Sequence, residues 1–155
     1  MATGKQHITG TIVLSPVTAG SVWWLTGGDV TTAAVAGTGC LSGLFVNPDL
    51  DMETVTLSEY WLVRWTLGLG WLWIMLWYPY ALLARHRSWF SHAPIISTMG
   101  RVSYMVLLYV GIAVLLRYFL AIELFPFWAL LNWEQWFIFV GGLTISDLGH
   151  WWLDR

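Results

Sequence analysis

At 155 residues the chain has room for one domain, residues 1–155. Its residues are 57% hydrophobic, 17% aromatic and only 10% charged, which excludes an ordinary soluble fold, where about 25% are charged. A net charge of −2 with no basic stripe excludes nucleic acid as a partner, and the single Cys40 excludes an intrachain disulfide framework or thiolate cluster.

In chain order, the first apolar stretch runs from Ile8 to Leu25 and closes on Trp23 and Trp24. Lys5 is the only charge before it, Pro16 and Thr18 interrupt it, and no small-residue cleavage site follows, so it is expected to be retained rather than removed as a signal peptide. Thr26-Gly27-Gly28-Asp29 reads as a tight turn. A second stretch, Val30 to Val46, is rich in Gly, Ala and Thr, which lets neighbouring helix backbones approach and predicts a place inside a bundle. Asn47-Pro48-Asp49-Leu50-Asp51 stops it. After the polar segment Met52 to Glu59 comes a Trp-dense stretch, Tyr60 to Ala84, broken by Arg64, Gly68, Gly70 and Pro79. The polar knot Arg85-His86-Arg87-Ser88 follows, then a helix from Pro94 to about Leu120, in which Arg101 and Arg117 bracket fifteen uncharged residues and can snorkel to opposite headgroup layers. The last helix is expected from Trp128 or Trp133 through Gly141-Gly142 to His150 and Trp152.

The topology turns on the middle segment. Two crossings separate the N-terminus from the Asp49/Asp51 loop, and two separate His92 from His150, so each pair shares a side. The two pairs face each other only if Tyr60–Ala84 does not cross. Trp61, Trp65, Trp71, Trp73 and Trp77 are spread along this segment instead of gathered at its ends, and Gly68, Gly70 and Pro79 weaken a straight helix. The expected fold is therefore an all-α integral membrane protein with four transmembrane helices plus a Trp-rich interfacial or re-entrant segment. The alternative is five spans, with the polar motifs divided between faces. Lys5, Arg85, Arg87 and Arg155 on the motif face, against Asp29, Arg117 and Glu123 on the other, orient the motifs to the cytoplasm.

The four histidines, His7, His86, His92 and His150, all fall at expected membrane edges, where ionisable groups are costly enough to suggest a use. With carboxylates nearby they suit zinc, manganese or iron. Asp49 and Asp51 can reach one cation or divide into ligand and orienter, and taken alone they read equally as an Asx-type helix stop. His86 and His92 are six apart, which needs a loop between them. Arg85 and Arg87 beside them suit an anionic group such as a phosphate or lipid headgroups. Asp147, His150 and Asp154, at offsets of three and seven, share a helical face; the other reading is an interfacial helix end with a polar stripe. Arg64, Arg101, Arg117, Glu123 and Glu134 read as boundary anchors. Ser88 and Ser91 show no nucleophile elbow or Ser-His-Asp order.

In combination, Thr3-Gly4-Lys5-Gln6-His7, Asn47-Pro48-Asp49-Leu50-Asp51, Trp77-Tyr78-Pro79-Tyr80 and Arg85-His86-Arg87-Ser88-Trp89-Phe90-Ser91-His92 resemble a bacterial family of unknown function described as predicted metal-binding membrane proteins. That family is similar in turn to the membrane-bound metal-dependent hydrolases. The resemblance implies one metal site built from His7, Asp49, Asp51, His86 and His92, completed by a carboxylate and histidine cluster near the C-terminus. Ile8 departs from it, standing where the family carries an acidic residue.

The expected function is a divalent-metal-binding membrane protein that hydrolyses a phosphoester or amide of a membrane-associated substrate in a bacterial inner or internal membrane. His7, Asp49, Asp51, His86, His92, Asp147 and His150 are the expected ligands. Asp51 or Asp154 would serve as general base, and Arg85 and Arg87 would hold substrate. The lipid bilayer is the expected partner. The alternative is a non-enzymatic accessory subunit of a larger membrane complex, with a structural metal or none. Axial ligation of haem or a chlorophyll-type pigment is disfavoured, because no paired histidines lie deep within a span.

Overall fold

The computed structural model describes residues 3–52, 54–84, 88 and 93–155. All regular structure among these residues is helical: α1 (Gly4–Leu25), α2 (Val30–Ser42), α3 (Leu57–Trp65), α4 (Gly70–Leu83), α5 (Pro94–Leu120) and α6 (Trp133–Leu153), with 3-10 turns at Pro48–Asp51 and Phe127–Leu130.

Four of these helices, α1, α2, α3 and α6, start on a side-chain cap. Thr3 and Gln6 form a capping box, the Gln6 Oε1 accepting from the Thr3 N–H at 2.7 Å, so two otherwise orphaned donors at the start of α1 are satisfied. Gly27 and Gly28 take positive φ, 68° and 101°, and fold the chain back onto Asp29. The Asp29 carboxylate then caps α2, accepting from the N–H groups of Thr31 and Thr32 at 2.9 and 3.3 Å and from the Thr32 hydroxyl. Those bonds, the Thr32 hydroxyl foremost, hold its carboxyl below the usual carboxylate range. Thr56 with Glu59, and Asn132 with Gln135, repeat the capping box for α3 and α6.

The core is a three-helix bundle of α1, α2 and α6. Its tightness comes from the small-residue face of α2. Ala36, Gly37, Gly39 and Cys40 are buried, a Cβ at Gly39 would overlap the backbone of Phe139, and one at Gly142 would overlap the carbonyl of Ala36. Backbones this close require glycine, as expected from the composition of α2. The α5 helix packs on α6, α4 on the Pro48–Asp51 turn, and α3 on α4 and α1.

Several boundaries differ from the sequence reading. The α2 helix stops at Ser42 and not Val46, because the chain tightens at Gly43 into i→i−3 bonds, Leu44 N–H to Leu41 O and Phe45 N–H to Ser42 O, both 3.0 Å. The Tyr60–Ala84 segment is divided into α3 and α4 at Leu67 and Gly68, both at positive φ (51° and 95°), whereas Pro79 sits inside α4 without ending it. With 9 and 14 residues, α3 and α4 extend about 14 and 21 Å, short of a hydrocarbon core of about 30 Å.

Among the described residues two helices, α1 and α5, are long and apolar enough to cross a membrane, with mean hydropathy of 1.3 and 1.9 over their most apolar stretches. The four full-length spans expected from sequence are thereby reduced to two by this criterion: α2 is apolar but has only 13 residues, and α6 is long enough but carries Glu134, Gln135 and Asp147.

Arg101 also departs from expectation. It is 0% exposed and does not snorkel. Its Nη2 pairs with Asp147 Oδ2 and its Nη1 donates to Ser97 Oγ, because a charge this far inside the packed helices is tolerated only when partnered. Arg117 does lie at an exposed helix end, 3.7 Å from Glu123.

Candidate metal centre

Three separate pieces of chain meet at one end of the bundle. The capping box at Thr3 fixes the first turn of α1 and with it His7. The last turn of α6 carries His150, and Asp154 caps that helix with its N–H on the His150 carbonyl at 3.2 Å. The spacing of four puts both side chains on one face. The Pro48–Asp51 turn, started by a proline whose fixed φ suits its first position, supplies Asp49.

The imidazoles of His7 and His150 stack face to face, centroids 3.7 Å apart and planes 13° from parallel. Asp154 serves both: its Oδ1 lies 3.2 Å from His7 Nε2 and its Oδ2 lies 3.5 Å from His150 Nε2. Asp49 Oδ1 lies 3.3 Å from the same His150 Nε2. Ligand atoms of His7, His150 and Asp154 all fall within 4.8 Å of one another. Two donors each about 2.1 Å from a tetrahedral ion sit about 3.4 Å apart, so these separations are those of atoms sharing one ion.

The donor set fits a divalent metal on two further grounds. Two imidazoles and two carboxylates form a mixed nitrogen and oxygen set suited to zinc, manganese or iron. His7 Nδ1 is also buried and has no hydrogen-bond partner among the described residues, a state that costs stability unless a further group engages that ring.

The remaining sequence candidates are distributed differently. Asp147 lies one turn before His150 on α6: its Oδ2 accepts from Arg101 and from the Thr98 hydroxyl, and it is 1% exposed. The guanidinium on α5 engages it there, and the group of ligand atoms within 4.8 Å of one another is made by His7, His150 and Asp154. Asp51 is buried, 2% exposed, and together with Arg101 and Asp147 acts electrostatically on Tyr80 of α4. Asp154, read from sequence as a general base, contacts both histidines and belongs with them to the group that could hold a metal ion. His86, His92, Arg85 and Arg87 lie outside the described residues.

The sequence reading missed Arg101 and Thr98 as buried polar partners of Asp147, and Ser97 as a partner of Arg101, although an arginine inside an apolar helix and an aspartate inside another were the available signal. It also missed Asn47, whose amide Nδ2 donates to the Leu44 carbonyl at 3.2 Å and to Ser58 Oγ at 3.4 Å.

No curated protein and no solved structure matches the chain. Over residues 2–155 it matches the family described as an uncharacterized metal-binding protein (DUF2227), and with His7, His150 and Asp154 gathered where they could hold a metal ion the chain belongs to that family.

Proposed function

We propose that the protein is a membrane-embedded, divalent-metal-dependent hydrolase acting on a phosphoester or amide of a membrane-associated substrate. The observation that carries this reading is the convergence of His7, Asp49, His150 and Asp154 from the start, middle and end of the chain. A bound divalent ion would supply Lewis acidity at this point, polarising a scissile group and making water acidic enough to react near neutral pH. The chain's own part is to hold two imidazoles and two carboxylates in register. Space for water beside them, described below, favours an open centre over the closed sphere of a structural metal.

Membrane residence is supported by α5. Leu107, Val114, Leu115, Phe119 and Leu120 along this helix are exposed, and only 6% of its most apolar stretch is buried. A soluble core helix hides such a surface, and α5 is too far along the chain to be a signal sequence. In this reading α1 and α5 cross fully, α2 and α6 complete a four-helix membrane bundle, and α3 and α4 lie at the interface. The metal centre then faces the cytoplasm of a bacterial inner or internal membrane, the side to which Lys5 and Arg155 are drawn.

The test is hydrolysis by protein reconstituted in liposomes, with a chromogenic phosphodiester and an N-acyl amide as probes. Activity removed by chelation, restored by zinc or manganese and lost in His150→Ala supports the reading. Hydrolysis indifferent to chelator, or absent with every metal, overturns it.

A further inference from the structure

A cavity of about 30 Å³ lies against the metal centre, between the first turns of α1, the chain before the Pro48–Asp51 turn and the start of α3. Three of the four clustered residues, His7, Asp49 and His150, line it, and Asp154 does not. The volume admits water but no organic substrate. Thr11, Asn47, Thr56 and Ser58 contribute polar groups to the lining, beside the apolar Ile8, Leu44 and Leu57.

Two polar atoms of residues lining this space are buried without partners among the described residues: His7 Nδ1 and Asn47 Oδ1. The Asn47 amide is held in orientation by its other end, Nδ2 donating to Leu44 O and Ser58 Oγ, which leaves Oδ1 as an acceptor with nothing to accept. A buried carbonyl oxygen and a buried ring nitrogen around one water-sized space are the surroundings in which proteins keep an ordered water, since each orphan otherwise carries an uncompensated desolvation cost.

We infer that this cavity is the water side of the metal centre and that Asn47 is a positioning residue, its Oδ1 accepting from a water molecule held beside His7 and His150. The inference rests on the hydrolase reading and deepens it. Water is delivered from the cavity, whose volume excludes an organic substrate. Aiming one O–H at Asn47 turns a lone pair of that water away from the amide, toward the histidine and carboxylate cluster.

The experiment counts exchangeable deuterons around Mn(II) in the whole protein by pulsed electron paramagnetic resonance in D2O. Asn47→Leu removes the acceptor at similar volume; Asn47→Asp loses the same Nδ2 bonds and keeps an acceptor oxygen. The expected result is equal manganese loading in all three proteins, with Asn47→Leu losing the signal of one water and Asn47→Asp retaining it. An unchanged deuteron count in loaded Asn47→Leu overturns the inference, as does an equal loss in Asn47→Asp. If Asn47→Leu does not fold, Asn47→Val carries the same comparison. Wild-type protein that binds no manganese, zinc or iron overturns the reading beneath it, which keeps the two failures distinguishable.

Discussion

His7 in the first turn of the first helix and His150 in the last turn of the last helix lie ring on ring, 3.7 Å between centroids, with one carboxylate, Asp154, reaching the Nε2 of both. A shared carboxylate makes these side chains one unit. Asp154→Asn is therefore expected to weaken divalent-metal affinity by at least about tenfold, the scale on which groups that orient metal-binding histidines act. Isothermal titration with zinc checks this against Glu123→Gln, a distant carboxylate expected to leave affinity unchanged.

The Arg101–Asp147 pair is completely buried, so breaking it differs from replacing it. Arg101→Met strands an uncompensated carboxylate and is expected to cost about 3–5 kcal/mol, while Arg101→Met combined with Asp147→Leu recovers most of the loss. Chemical denaturation in detergent measures both. A double variant as unstable as the single one would show that the pair does more than neutralise itself.

Neighbouring glycines should respond with opposite signs. A Cβ at Gly142 runs into the Ala36 carbonyl and the Cys40 backbone nitrogen, whereas Gly141 has open space around it. Gly142→Ala is expected to destabilise by about 1–3 kcal/mol through forced separation of α2 and α6. Gly141→Ala should stabilise by about 0.5–1 kcal/mol through helix propensity. Thermal melts of the two variants decide the matter.

The Asp29 cap carries a pH signature. Its carboxyl is held below the ordinary range by the Thr32 hydroxyl and the N–H groups of Thr32 and Thr31, so its stabilisation is fully present above the unfolded carboxylate value of about 3.9 and is lost as pH falls through the lower folded value. Asp29→Ala should lower the melting temperature at neutral pH, and the gap from wild type should begin to close below about pH 4. A gap unchanged down to pH 3 would mean the side chain acts by something other than its charge.

Much of the fold was legible in the residues themselves. The Thr26–Asp29 turn, the Pro94–Leu120 helix and the inward place of α2 all followed from local chemistry: paired glycines, a proline at N1, and a run of small side chains. The break in the Trp-rich segment was legible as a weakness, but its place at Leu67 and Gly68 was not, since three breakers competed and Pro79 proved compatible with a helix. At the site, His7, Asp49 and His150 stood out by residue type and position. Two distinctions depended on tertiary packing that no spacing rule encodes. Asp147 and Asp154 share a face of α6, and only the guanidinium of Arg101 on another helix decides that Asp147 turns inward. Asp49 and Asp51 are two residues apart on one 3-10 turn, and it is packing that sets Asp49 beside His150 and buries Asp51 within electrostatic reach of Tyr80.

The most direct test of the metal centre is elemental analysis of purified, chelator-stripped and reloaded protein, wild type beside His7→Ala and His150→Ala, with circular dichroism to show that all three fold. The expected result is one divalent ion per wild-type chain and none retained by either folded variant. Full loading of both variants, or no ion bound by the wild type, would contradict a centre built on His7 and His150.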